Sequence, residues 1–486
     1  MRNLKKSAKK IFMLIIAVIF WILIWYFYAH KVDSSIFLPT PKETLKTLFV
    51  LIKNKIFWKI VCTSFQRILK GFIIAVPAGI ILAAISAFCV VIKVLIEPFM
   101  KLIKSVPVAS FTILILLWIN SENLSTVISF FMVLPVVYIN VLQGFENVDT
   151  DMIEMAKVYK ISFAKKIRFL YLPSVYPAFI SACRIGIGLC FKSGIAAEVI
   201  GLPADSIGSE LYKAKLYLMT EELFAWTIVI ILMSVLFENI CIYILNIISR
   251  RMKKVGVQGV KESQKDKPVQ TDEINHGGKH YADESTKHYY ARVGNISKFY
   301  GGKCVLKDIS FTVTAGEVFC VMGESGIGKT TLMKIIMGIV KQDSGQIVME
   351  SGKNKLTVVF QEDRLLKNVD IYTNLYFALH DDKNFNDKIP VIDLHLKQTQ
   401  LEGLGRKKVE ELSGGMCRRV AIIRAVIANP DILILDEPLN GLDDNTKDIM
   451  IEYIKMYCSD KIVIMVTHNI EDAKKMGAKI FRIDDI

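Results

Sequence analysis

The sequence predicts a multidomain chain in which an all-α transmembrane bundle of about six helices precedes a soluble α/β domain. Hydrophobic residues make up 52% of its 486 residues, and they concentrate in long runs before about residue 245. A chain of this length is too long for one ordinary domain. Because the later part has the composition of a soluble α/β protein, we expect a boundary near the middle of the chain.

The apolar runs predict six membrane crossings, since a bilayer core takes about 20 helical residues. No small-residue cleavage site follows the first run, which we interpret as an uncleaved helix rather than a signal peptide. The third run is short and compatible with a start near Leu102, and its Pro107 predicts a kinked or broken helix. The runs are approximately 11–29, 68–88, 107–119, 124–142, 175–200 and 223–247.

The net charge of +14 is explained by basic residues that flank the apolar runs. Clusters at 5–10 and 250–254 predict that both termini and the soluble domain are cytoplasmic. The basic segment 42–59 would lie outside, and its amphipathic pattern predicts a helix on the outer membrane surface. Since no basic stripe alternates with aromatic residues, we expect membrane lipid and not nucleic acid as a partner.

Charged residues within the fifth run are functional candidates. Arg184 and Lys192 are eight residues apart and share a helical face. One interpretation is a pathway lined by positive charge and suited to an anionic solute. The other is a Lys192–Glu198 ion pair with Arg184 extended towards the cytoplasmic surface, and the sequence alone favours this second interpretation.

Residues 251–289 are predicted to form a flexible linker, because the stretch 261–288 includes almost no apolar residues that could bury a core. Its His276, His280 and His288 have no cysteines or carboxylates at zinc-ligand spacing. The nine cysteines of the chain form no CxxC pair and no Cys/His zinc pattern. We therefore expect reduced structural thiols.

The soluble domain, residues 290–486, includes a G-x-x-x-x-G-K-[ST] motif between an apolar strand and a helix, which predicts an α/β P-loop NTPase. Its glycines allow backbone N–H groups to surround phosphates, and the helix N-terminus adds a positive dipole end. We expect Lys329 to reach the β- and γ-phosphates of ATP and Thr330 to bind Mg²⁺. The predicted nucleotide-binding residues of this loop are Gly323, Glu324, Ser325, Gly326, Ile327, Gly328, Lys329, Thr330 and Thr331.

Two further motifs extend the nucleotide site. The apolar strand DILILDEP ends at Asp436, predicted to hold Mg²⁺, and at Glu437, predicted to polarise the attacking water as general base. Between the two strands, LSGGM opens a basic helix at 412–416. Its Ser413, Gly414 and Gly415 form a second anion-binding helix start.

Together these motifs resemble the ATP-binding cassette (ABC) family, whose signature LSGGQ appears here with Met in place of Gln. The resemblance implies a Q-loop residue at Gln361 with catalytic and Mg²⁺-binding roles, a D-loop residue at Asp443 and a switch histidine at His468. It also implies that Tyr300 stacks on adenine. In this family each ATP lies between the P-loop of one cassette and the signature of another, which implies a dimer, expected here as a homodimer.

The segment EMAKVYKISFAKKIRFLYLP, which begins at Glu154, is basic and amphipathic. It is similar to the Glu-Ala-Ala-x₃-Gly-x₉-Ile-x-Leu-Pro loop of binding-protein-dependent importer permeases. Glu154, Ala156 and Pro173 match, whereas Lys160 replaces the glycine. The resemblance implies that residues 150–173 contain a coupling helix that docks on the ATPase.

The membrane part as a whole, residues 1–250, resembles permeases of the nitrate, sulfonate, taurine and thiamine-precursor branch. The segments QRILKGFIIAVPAGIILA, KSVPVASFTILILLWIN and ACRIGIGLCFKSGIAAEVIG are the similar ones. The resemblance implies an ATP-hydrolysing importer in the cytoplasmic membrane that receives a small solute, with an anion as one candidate, from an extracytoplasmic binding protein. An exporter also fuses six helices to a cassette, but it has longer cytoplasmic helices and lacks the 154–173 loop. The remaining alternative is a nucleotide-dependent membrane regulator.

Overall fold

The chain forms two compact units in a computed structural model that describes residues 2–32, 37–257, 289–324, 326–350, 355–379 and 385–483. The first unit comprises Met1–Asn147 and Pro173–Arg250, and the second comprises Val148–Leu172 and Arg251–Ile486. Most of the predicted linker, its three histidines and Ser325 lie outside the described residues. All nine cysteines are free thiols, as the sequence predicts.

All secondary-structure elements in the described residues of the first unit are helices, as predicted. Apolar residues from most of its helices meet in one shared core. Helices α7 and α8 belong to the second unit and are described with it. The helices of the first unit are α1 (Arg2–Val32), α2 (Pro41–Lys53), α3 (Lys55–Phe88), α4 (Val90–Ser105), α5 (Val108–Leu116), α6 (Ser121–Glu146), α9 (Leu172–Gly201), α10 (Ile207–Leu216) and α11 (Thr220–Val257).

Among the residues that the structure describes, four helical stretches are long and apolar enough to cross a membrane: Lys55–Phe88, Ser121–Glu146, Phe163–Gly201 and Thr220–Ile244. Helices α4 and α5 pass the same test together but bend by 104° between Ser105 and Val108, which raises the number to five. The break coincides with Pro107, whose ring favours an extended preceding residue, and it confirms the broken helix predicted there. In α1 the described apolar part is the shorter Ile16–Val32, so six crossings remain a prediction.

The predicted surface helix 42–59 is wrong in its second half. Helix α2 begins with a capping box between Thr40 and Glu43 and ends at Lys53. The Asn54 side chain then accepts a hydrogen bond from the Ile56 backbone N–H and starts a new helix. Lys59 therefore belongs to the long helix α3, where it pairs with Asp205.

The predicted Lys192–Glu198 ion pair is also wrong. Glu198 is buried, and its Oε2 accepts hydrogen bonds from Ser64 Oγ at 2.8 Å and from the Gly208 backbone N–H at 3.2 Å. Glu198 lies in the last turn of α9, close to the start of α10. The first backbone N–H groups of α10 have no acceptor within their own helix, and the Glu198 carboxylate accepts one of them. Arg184 Nε lies 3.7 Å from a carboxylate oxygen of Glu238 on α11 instead of extending freely.

The described part of the second unit contains two sheets. One is antiparallel with strand order β2-β1-β4, and the other is parallel with order β5-β6-β7-β3-β8. The strands are β1 (Tyr290–Tyr300), β2 (Lys303–Thr314), β3 (Val318–Met322), β4 (Ser344–Glu350), β5 (Leu356–Val359), β6 (Ile432–Asp436), β7 (Ile462–Val466) and β8 (Lys479–Arg482). Its helices in the C-terminal part are α12 (Lys329–Ile336), α13 (Ile371–Ala378), α14 (Phe385–Gln398), α15 (Gly414–Ile427), α16 (Asp444–Cys458) and α17 (Ile470–Met476).

The loop Val148–Leu172 folds as part of this second unit. It contains α7 (Thr150–Val158), α8 (Phe163–Lys166) and a π-helical turn at Ile167–Tyr171. After α7 the chain turns at Lys160, which replaces the glycine of the resembling loops and has a φ angle of +49°. The glycine-type bend is thus kept by a lysine in the left-handed region, at a cost of about 1 kcal/mol.

Candidate functional site

Four adjacent parallel strands end at the predicted nucleotide motifs. Strands β5, β6, β7 and β3 are neighbours in that order. Soon after their carboxyl ends come Gln361, Glu437, His468 and the loop 323–328, respectively. Because parallel strands place their carboxyl ends along one edge of a sheet, the topology assembles motifs that are far apart in sequence.

The phosphate loop has the backbone geometry that its glycines permit. Gly326 and Gly328 have φ angles of +88° and +109°. A Cβ on Gly328 would also lie 2.9 Å from the carbonyl oxygen of Val305, so only glycine fits there. The Lys329 ammonium donates to the carbonyl oxygens of Gly323 at 2.6 Å and Glu324 at 2.7 Å. The loop and its lysine therefore enclose one small region at the start of α12.

Glu437 directly follows β6 and has a left-handed backbone with φ of +46°. Its Oε1 lies 3.3 Å from His468 Nδ1, and its Oε2 accepts a hydrogen bond from Asn440 Nδ2 at 3.2 Å. The side chain of Glu437 is 19% exposed, whereas that of His468 is 68% exposed. This carboxylate is held at the sheet edge and still reaches solvent, as a base acting on water requires.

Asp436 is buried, and this burial, followed by the charge of Glu437, raises its pKa to about 6. Arg418 and then Lys329 act in the opposite direction. A bound cation would further favour the ionised carboxylate. The predicted oxygen donors of Asp436, Thr330 and Gln361 are of the kind that Mg²⁺ binds together with phosphate and water. The described residues include no cluster of three His, Cys, Asp or Glu side chains that would hold a metal by protein ligands alone.

The predicted signature and D-loop residues begin two helices next to one another. Ser413 is the N-cap of α15 and accepts a hydrogen bond from the Met416 backbone N–H. Asp443 caps α16, and hydrogen bonds from Thr446 lower its pKa. A Cβ on Gly415 would lie 3.5 Å from Leu442, so the two loops touch. Ser413 and Gly414 are exposed, so the N-terminus of α15 is accessible to a ligand that is bound mainly by other residues.

Tyr300 lies at the end of β1 and is half exposed, with Lys298 Nζ 5.3 Å from its ring centroid. The ring is therefore available for the predicted stacking on adenine. Thr330 and Thr331 lie in the first turn of α12, at exposed and half-buried positions respectively. Ile327 is half buried and packs against the core of this unit.

The sequence did not identify Arg418, whose side chain is 5% exposed and which touches both Gln361 and Glu437 through their backbone carbonyl oxygens. It also missed Arg364 and Arg424. Arg424 donates to the carbonyl oxygens of Arg364 at 2.6 Å and Asp363 at 3.0 Å. The sequence did contain a sign of these contacts: Arg418 and Arg424 lie among apolar residues in the segment CRRVAIIRAVI, where a buried arginine needs hydrogen-bond acceptors.

The loop 148–172 is anchored within this unit by apolar packing. Met155 and Ala156 are fully buried and belong to the same core cluster as residues of strands β3, β5, β6 and β7. The Tyr159 hydroxyl donates to the backbone carbonyl oxygen of Val358 on β5 at 2.8 Å. The amphipathic pattern of the loop therefore matches a real apolar contact.

Polar contacts fix the other face of α7. Arg364 donates to Asp151 Oδ1 at 2.9 Å and to Glu154 Oε2 at 3.1 Å. The same guanidinium lies 3.9 Å from the ring centroid of Phe360. Glu154 therefore contacts the segment that follows Gln361, whereas Pro173 falls in the first unit.

Protein-family models match both the membrane part and the ATPase part of the chain. Residues 306–440 match the ABC transporter family, and residues 75–254 match the inner membrane component of binding-protein-dependent transport systems. The taurine import ATP-binding protein TauB of Escherichia coli O157:H7 is 36% identical over 198 residues, which cover 77% of that protein and 39% of this chain. The chain belongs to the ABC transporter family.

Two other ABC relatives differ from TauB in the solute named. The bicarbonate transport ATP-binding protein CmpD of a Synechocystis strain is 36% identical, over 70% of its length and 38% of this chain. The spermidine/putrescine import ATP-binding protein PotA of Mycoplasma capricolum is 39% identical over 38% of this chain. The chain spans only 56% of the length of that PotA. Cassette similarity thus extends across relatives named for taurine, bicarbonate and polyamines and leaves the solute open.

Proposed function

We propose that this chain is a fused ABC importer that couples ATP hydrolysis to the uptake of a small solute across the cytoplasmic membrane. The observation that supports import is the Glu154-containing loop, which lies between two apolar helices in sequence yet packs in the unit of the nucleotide site. An extracytoplasmic binding protein delivers the solute. The domain division follows: a permease at 1–250 with the coupling loop at 150–173, a linker at 251–289 and an ATPase at 290–486, with both termini and the ATPase in the cytoplasm.

The proposed chemistry assigns one role to each group at the sheet edge. Lys329 and the loop N–H groups hold the β- and γ-phosphates, and Tyr300 stacks on adenine. Glu437 accepts a proton from the attacking water, while His468 holds its carboxylate in position. Asp436, Thr330 and Gln361 would hold Mg²⁺, which when bound neutralises phosphate charge.

A dimer completes this site. The signature residues Ser413, Gly414 and Gly415 begin α15, whereas the phosphate loop begins α12. Accessible Ser413 and Gly414 are available to the nucleotide of a second cassette. We propose a homodimer in which Asp443, beside the signature loop, lies at the contact between the two cassettes.

The test of import is ATP hydrolysis by the purified full chain in lipid nanodiscs. We expect solute-loaded binding protein, added from the panel encoded by the same organism, to increase the hydrolysis rate at least severalfold. Unloaded protein is the control. An exporter would respond to solute added directly, without any binding protein, and that result would contradict import.

The solute is proposed to be an anion, such as nitrate, a sulfonate or taurine. Lys192 is exposed on α9, and no carboxylate within the described ranges lies within 4 Å of it. It lies nine residues before Gly201, about 14 Å from the outer end of the helix and thus near the middle of a bilayer core about 30 Å thick. An unpaired ammonium at this depth cannot reach either surface and requires a polar pathway.

Cysteine accessibility tests this pathway. Gly188 lies between Arg184 and Lys192 on the same face, and a Cβ there meets no atom within 4 Å. In a cysteine-free background we expect Gly188→Cys to react faster with anionic sulfonatoethyl than with cationic trimethylammonioethyl methanethiosulfonate. Lys192→Gln should reduce this preference about sixfold, as expected for one charge acting over roughly 8 Å of mostly aqueous space, and Lys192→Arg should keep it.

The matched control is Ile81→Cys, which replaces an apolar side chain of α3 that is 57% exposed. It should remain unmodified by both reagents if it faces lipid. An anion pathway along α9 would be contradicted by no labelling at position 188, or by a charge preference that is the same with and without the Lys192→Gln substitution.

A further inference from the structure

We propose that Arg418 is a positioning residue that locks Glu437 and Gln361 together and transmits the position of the loop 148–172 to the site of hydrolysis. The proposal rests on the proposed function, because it requires Glu437 to be the base. No sequence motif predicts this role for Arg418, because the residue lies in α15 after the signature residues 412–416 and is not one of them.

Arg418 braces the backbone around Glu437. It donates to three consecutive carbonyl oxygens: Nη2 to Asp436 at 3.1 Å and to Glu437, and Nε to Pro438 at 3.0 Å. Glu437 has a left-handed φ of +46°, a conformation that persists only when surrounding contacts enforce it. Arg418 supplies such contacts on both sides of the carboxylate-bearing residue.

The same side chain binds the segment that follows β5. Arg418 Nη1 donates to the carbonyl oxygens of Phe360 at 2.6 Å and Gln361 at 3.2 Å, and to Asp363 Oδ1 at 3.0 Å. One buried guanidinium thus binds the Q-loop segment and the Glu437 segment at once. Charge-assisted hydrogen bonds in such a buried position are strong. The planar fork of arginine provides this geometry, and a lysine ammonium does not.

The network continues to the loop 148–172. Arg424 binds the carbonyl oxygens of Asp363 and Arg364, and its guanidinium lies 5.6 Å from the ring centroid of Tyr159. Arg364 binds Asp151 and Glu154. A displacement of α7 therefore moves the 360–364 segment, and Arg418 is the direct bond from that segment to Glu437. A contiguous network transmits a signal only if perturbing one end changes the other, which a double-mutant cycle measures.

The experiment uses the full chain in lipid nanodiscs and measures ATP affinity and maximal hydrolysis rate separately. We expect Arg418→Lys to lower the maximal rate at least tenfold while changing ATP affinity less than threefold. Arg419→Lys is the matched control on the same helix. Its guanidinium donates to the carbonyl oxygens of Thr399 and Gln400 rather than to those of Gln361 and Glu437, and we expect the rate to change less than twofold.

Transmission is tested by adding Arg364→Lys to each background. In the wild-type background it should lower the rate severalfold, because the loop loses its hold on the 360–364 segment. In the Arg418→Lys background it should have almost no further effect. Multiplicative losses in the double variant would overturn the proposal, since they would show two independent structural defects.

Asp363→Asn provides a second route if Arg418→Lys does not fold. It removes one charge from the Arg418 network and keeps the shape of the side chain, and it should show the same loss of rate at unchanged ATP affinity. An unchanged rate would overturn the proposal. Failure of the proposed base is a distinct result, because it appears as normal hydrolysis by Glu437→Gln in the same assay.

Discussion

Glu437→Gln is expected to retain ATP binding and to lose nearly all turnover, with a fall on the order of 10²–10³ in the maximal rate of hydrolysis. The amide keeps the size of the side chain and its contacts with Asn440, but it has no basic oxygen to accept a proton from water. Lys329 and the phosphate loop are untouched. Binding should be measured with a fluorescent ATP analogue and turnover by phosphate release.

Two comparisons make this result specific. Lys329→Ala should weaken nucleotide binding itself, because it removes the ammonium that faces the phosphates. Glu452→Gln, at an exposed position on α16, is the matched control and should hydrolyse ATP normally. Hydrolysis by Glu437→Gln at close to the normal rate would show that another group is the base.

Ala156→Glu is expected to abolish solute uptake and the stimulation of hydrolysis by loaded binding protein. Ala156 has no exposed surface and lies in the core that α7 shares with the parallel sheet. A glutamate there would be both too large and a buried charge, at a cost of several kcal/mol, which α7 can avoid only by leaving its groove. Basal hydrolysis should fall severalfold at most and should not disappear, because the phosphate loop and Glu437 keep their fold while the 360–364 segment loses its contact with α7.

The matched control is Ala164→Glu, the same substitution at an exposed position of the same loop. We expect it to leave uptake and stimulation within about twofold of normal, as is typical of surface substitutions. Uptake should be measured in vesicles and hydrolysis in parallel samples. Normal uptake by Ala156→Glu would show that this loop does not couple the two halves, and an exporter would again be the better interpretation.

The sequence alone is enough to predict the local elements and the candidate residues of the nucleotide site. The glycines at 326 and 328 define a left-handed loop, and apolar strands ending in Asp436 and before His468 define parallel strands with polar ends. The break at Pro107 follows from proline chemistry alone. These features depend on residues adjacent in the chain, so a linear pattern is enough to predict them.

The pairing of the buried charged side chains is visible only in the folded chain. The acceptors of Arg418 lie 18–20 and 55–58 residues away along the chain. The Glu198 carboxylate accepts hydrogen bonds from Ser64 and Gly208 and does not pair with Lys192, because a buried carboxylate bonds to the donors that the fold places next to it. Lys160 shows the same limit for the backbone: its left-handed bend is unfavourable locally and is stabilised by the packing of Ala156 and Tyr159, which precede it in the chain.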